Sequence, residues 1–180
     1  KDEIAAAIAA LVETAKQAQA DYETEQALNA AYAQATEMVD SLNKILTDSV
    51  AIIAQTCPDV KESEEVLTAK AAIETQIAAL SEAIEAAKAD GSLTAELENV
   101  LALKDEIACG IAALGETAKQ AQADYETEQA LNAAYAQATE MVESLNKILK
   151  DSVAIIAQTC PDEKESKEDL KEKEANETQT

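Results

Sequence analysis

The chain has 180 residues, 47% of them hydrophobic and 2% aromatic, and a net charge of -22 from 36 acidic and 14 basic residues. Every basic residue is a lysine, and Arg, His, Phe and Trp are absent. This balance argues against binding DNA, RNA or an anionic membrane, which needs basic patches, and the missing histidines exclude Ser-His, Cys-His and His-metal constellations.

Much of the hydrophobic content is alanine, the best helix former and a side chain that lets helix axes approach closely. Three Gly and two Pro leave few places for turns. No run of about 18 apolar residues exists, so no membrane insertion is expected. The chain opens on Lys1 without an initiator Met or a signal-peptide pattern, as expected of a processed chain or an excised part of a longer one.

The first element is a long helix over 2–57, a stretch with neither Gly nor Pro. Apolar residues recur at Ile4, Ile8, Leu11, Ala15, Ala18 and Tyr22, then at Leu28, Tyr32, Ala35, Val39, Leu42, Leu46 and Ile53. Each series keeps a 3.5-residue, coiled-coil-like period, and the two are out of step. The register shifts within 21–26 and leaves Glu25, like Glu128 later in the chain, at a phase otherwise apolar. A stutter in a continuous helix is expected there, in preference to a break.

"CPDVKE" at 57–62 stops the helix. Pro58 ends it, and Asp59 with Glu62 forms a capping-box pattern for a second helix over 60–89. That helix repeats Val66, Ile73, Ile77, Leu80 and Ile84. "ADGS" at 89–92 ends it, with Gly91 suited to a left-handed C′ position and Ser92 to the next N-cap. Leu93, Leu97, Val100, Ile107, Ile111, Leu114 and Ala118 then carry a seam onward from 92–103 into a further long helix.

That further helix contains a second copy of the first. Residues 1–59 and 104–162 align at an offset of 103 and differ at five positions only: Ala6/Cys109, Ala7/Gly110, Val12/Gly115, Asp40/Glu143 and Thr47/Lys150. The organisation expected is a first repeat over 1–103, a truncated second repeat over 104–162, and a charged tail over 163–180. In that tail the stripe of Val66, Ile73 and Ile77 has become Asp169, Asn176 and Thr180. The fold class is therefore all-α: an elongated antiparallel helical bundle or coiled coil built from a tandem repeat of about 103 residues. A helix that runs from one repeat into the next resembles the layout of spectrin-type triple-helical repeats, although the tryptophans usual in that family are missing. The resemblance is one of architecture and implies no function.

Few residues point to chemistry. GxGxxG and GxxxxGK[ST] are absent, so no enzyme and no cofactor is expected. Cys57 and Cys160 precede the two prolines; each either closes a helix as a small apolar residue or bridges copies by an intermolecular disulfide. Cys109 reads as a buried or incidental thiol. The four tyrosines, Tyr22, Tyr32, Tyr125 and Tyr135, fall on the seam and read as core fillers among alanines. "DGSLTAEL" at 90–97 lacks the upstream acids of an EF-hand loop, so specific metal binding is not expected, only weak, diffuse calcium binding by the net charge. Asn176 starts a glycosylation sequon, relevant if the chain is secreted. Secretion or granule deposition fits the missing Met and the paired cysteines.

The face of Leu131, Tyr135, Val142, Leu145, Leu149 and Ile156 repeats the seam of the first copy and has lost its third helix. It is expected to pack on another copy as a homodimer or a polymer. The leading expectation is a structural, self-assembling building block of a fibre, matrix or lattice. A carrier of an apolar ligand between alanine-rich helices is the alternative, and a designed helical bundle a third reading.

Overall fold

A computed structural model describes residues 2–159 of the chain. Among them are three α-helices and no strand: α1 (Asp2–Thr56), α2 (Glu64–Asp90) and α3 (Leu93–Thr159). Two compact units divide the chain, Lys1–Asp124 and Tyr125–Thr180. The tail over 163–180, with Asn176, and Cys160 lie outside the described residues.

The first unit holds a three-helix core. α1 contributes Ala31, Ala35, Met38, Leu42, Leu46 and Ile53; α2 contributes Val66, Ile73, Ile77, Leu80 and Ile84. α3 adds Leu93, Val100, Ile107, Ile111, Leu114 and Ala118. Within each helix these positions recur in steps of three, four or seven, so every helix turns one stripe inward. The buried residues form one cluster. Tyr32 of α1 bonds Glu85 near the end of α2, and Gly110 of α3 faces Ile73 of α2. Consecutive helices are therefore antiparallel, and α1 and α3 run in the same direction.

The seam expected along all of 2–57 is buried only from Ala31 onward. Ile4, Ile8, Leu11 and Tyr22 are exposed, Leu11 by 72%. Residues 2–27 are helical without packing in this core, and this explains how α1 passes 21–26 unbroken. A change of register matters only where a partner holds the seam in place, and Glu25 is exposed.

The turn between α1 and α2 differs from the expected capping box. α2 starts at Glu64 and its N-cap is Ser63, whose hydroxyl accepts from the Val66 amide at 3.4 Å. Asp59 is drawn instead to α3, where Gln122 binds it. At the other turn Gly91 takes φ 76°, a left-handed conformation that suits glycine. The amides of Gly91 and Ser92 return to the carbonyls of Lys88 and Ala87, a Schellman ending. The Ser92 hydroxyl donates back to the Ala87 carbonyl, while its backbone carbonyl accepts the first amides of α3.

In the second unit, residues 125–159 continue α3 as helix. None of them is fully buried. Leu131, Tyr135, Val142, Leu145 and Ile156 are exposed and Leu149 is half-buried.

Candidate functional site

The feature that sets this molecule apart is one set of side chains in two environments. Ile107, Ile111 and Leu114 are buried to 4%, 1% and 1% exposure, whereas Ile4, Ile8 and Leu11, the same residues 103 positions earlier, are 67%, 58% and 72% exposed. The second copy inverts the pattern. Leu42 is fully buried and its counterpart Leu145 is 62% exposed. Sequence periodicity alone marks both copies as seams, since periodicity states that a face is apolar and not what covers it. The exposed face over 131–156 lies on one unbroken helix, and Glu128 just before it is exposed.

Two polar contacts pin the core at its ends. Gln122, a buried polar side chain of α3, grips Asp59 twice: its Oε1 accepts from the Asp59 amide at 3.3 Å and its Nε2 donates to the Asp59 carboxylate at 2.9 Å. At the opposite end Tyr32 donates its hydroxyl to Glu85, and the Lys88 ammonium lies 3.3 Å from the centre of the Tyr32 ring. Donation to the Glu85 carboxylate raises the Tyr32 pKa above its ordinary value, because losing the phenolic proton would set two anions side by side.

The other tyrosines depart from the core-filling role. Tyr22, Tyr125 and Tyr135 are exposed, because the stretches that carry them make no buried layer. Cys57 is buried to 2% exposure just beyond α1. Cys109 is exposed, contrary to a buried thiol, since its position on α3 turns away from the core.

One surface hollow is sizeable, about 650 Å³ between Glu64, Glu65, Thr68, Ala69 and Ala72 of α2 and Thr117 of α3; others are smaller or lined by a single helix. A groove of about 210 Å³ between α2 and α3, lined by Leu80, Leu103 and Ile107 among others, falls below the roughly 300–1,000 Å³ usual for small-molecule sites. Those beside Val12 and Leu145 are lined by one helix each. Among the described residues no three acidic or thiol side chains converge as a metal site, and no helix is long and apolar enough to cross a membrane. The ion pairs present are exposed contacts within a helix, worth little to stability.

The chain matches no known protein family, and no curated protein and no solved structure is similar to it.

Proposed function

We propose that the protein is a structural building block, a non-catalytic acidic helical bundle that assembles with further copies of itself through exposed apolar helix faces. The observation that carries this reading is the 62% exposure of Leu145 against the complete burial of its counterpart Leu42. Side chains that form a core at one place in the chain stand open to water at another. Covering each large aliphatic contributes roughly 1.5–3 kcal/mol, and contiguous apolar patches on soluble proteins mark interaction surfaces. The tandem repeat supplies the reason for the duplication: a second copy of a packing face gives the molecule a means of joining to another.

The net charge of -22 makes this association sensitive to ions. Like-charged helices repel, and salt or calcium shortens the range of that repulsion, which is about 10 Å at 0.1 M ionic strength. Calcium acts here as a diffuse counterion. Sedimentation velocity at micromolar concentration, in low salt and again with added sodium chloride or millimolar calcium, tests the proposal. Oligomers that grow with ionic strength support it. A single species at the 19.0 kDa chain mass in every condition removes it.

A further inference from the structure

The self-association proposed above leaves open which surfaces meet. The first unit already contains the answer in intramolecular form. Leu42, Leu46 and Ile53 of α1 share one buried core with Ile107, Ile111 and Leu114 of α3. The two helices run in the same direction, and the contact of Gln122 with Asp59 sets their level. At the same rise of about 1.5 Å per residue in both helices, Ile107 to Ala118 lie alongside Leu42 to Ile53. Each partner in this packing has a second, exposed copy. The copy of Ile107 to Ala118 is Ile4 to Ala15, and the copy of Leu42 to Ile53 is Leu145 to Ile156.

We infer that residues 2–19 of one molecule dock alongside residues 142–159 of another, reproducing between molecules the packing that 105–122 and 39–56 make within one. Ile4, Ile8 and Leu11 of the first molecule meet Leu145, Leu149 and Ile156 of the second. Because donor and acceptor segments lie at different places in the chain, each molecule can give one and receive one, and the copies join head to tail. The occupant of the 131–156 face is thus a second copy of this chain, through its first helix, and not a second 131–156 face.

The differences between the copies are compatible with this contact. Ala7 stands at the place of Gly110, whose nearest neighbours, Ile73 and Gln76 at 3.9 and 4.0 Å, belong to α2 and not to α1. Asp40 and Thr47 are exposed in the core-forming copy, so Glu143 and Lys150 leave the packing face unchanged. Lys150 also makes 142–159 neutral, with Lys147 and Lys150 against Glu143 and Asp151. The acidic start of α1, Asp2 and Glu3, therefore approaches a segment without net negative charge.

The inference rests on the self-assembly reading, and the experiment separates the two. The full 180-residue chain is studied by sedimentation velocity at tens of micromolar in 0.15 M salt, together with Ile8→Glu, Leu145→Glu and their equimolar mixture. Circular dichroism on dilute, monomeric samples confirms equal helicity and melting, as expected because both residues are exposed in the single chain. The wild type should show a series of oligomers. Each variant alone should be monomeric, its association weakened about 10- to 100-fold by the loss of one large buried aliphatic and further by the cost of burying a carboxylate. The mixture should form pairs and stop, since the intact first helix of Leu145→Glu docks on the intact 142–159 face of Ile8→Glu. If Ile8→Glu still associates with itself as the wild type does, the interface does not use 2–19 and the inference falls while self-assembly stands. A monomeric wild type overturns both.

Discussion

Gln122 and Asp59 are joined by two hydrogen bonds, at 3.3 Å and 2.9 Å, that tie α3 to the connection between α1 and α2. Gln122 is 8% exposed, so truncating it to Ala leaves the Asp59 amide and carboxylate without this partner. The expected cost is about 1–3 kcal/mol, read as a lower urea midpoint at unchanged slope. Gln19, the same residue in the other copy, is exposed and bonds Glu23 one turn along its own helix; Gln19→Ala should leave the bundle's stability within about 0.5 kcal/mol of the parent.

A second pair of substitutions separates the copies by packing. Leu42→Ala opens a cavity at a fully buried site and should cost about 2–5 kcal/mol. Leu145→Ala, at an exposed site, should change the unfolding free energy of dilute monomer by no more than about 0.5 kcal/mol. Equal effects from the two variants would show that 131–156 folds into a core of its own.

Gly110 and Gly115 occupy helix interior where the other copy has Ala7 and Val12. A Cβ at Gly115 meets nothing within 4 Å, and at Gly110 only ordinary contacts. Gly110→Ala and Gly115→Ala should each raise stability by about 0.5–1 kcal/mol through helix propensity, measurable as a higher melting temperature.

The thiols should differ in reactivity. Iodoacetamide applied to the native protein, followed by peptide mass mapping, should label the exposed Cys109 quickly and the buried Cys57 only as fast as the bundle opens. In denaturant the two rates should converge.

Much of the bundle could be read from the chain. The steps of three and four at Val66–Ile84 and Ile107–Ala118 identify both helices and their buried faces, and Gly91 marks their turn. Asp59 could not be placed from local pattern. Its capping motif is sound chemistry, but a glutamine 63 residues away binds it first, and such distant competition leaves no trace in a six-residue window. The exposure of 2–27 was equally hidden, because Ile4, Ile8 and Leu11 carry the same spacing as residues that are buried.

Acid should weaken the second turn only once the pH has fallen below the ordinary aspartate range. Asp90 accepts the Ser92 amide at 2.9 Å, and hydrogen bonding from the Ser92 side chain, together with this amide, holds its carboxyl below the ordinary aspartate value. A depressed folded-state pKa means that its contribution is full above the unfolded pKa and is lost as pH falls through the folded one. Carboxyl NMR titration should find the Asp90 midpoint below that of the denatured chain; Ser92→Pro, which removes both the hydroxyl and the amide donor, should bring it back up.

The exposure of Asp40 and Thr47 has a consequence for how the molecule acquires its fold. They are the only positions at which 28–56 differs from 131–159, so the inward faces of the two stretches are the same. A newly made chain offers α2 two first helices of equal chemical merit, and affinity cannot choose between them. Proximity makes the choice. The stretch that ends at Thr56 reaches Glu64 through a seven-residue connection, and a short tether holds it near α2 at an effective concentration in the millimolar range. Crowded unfolded chains erode that advantage, because each brings further identical helices, so dilution favours correct pairing as this protein refolds.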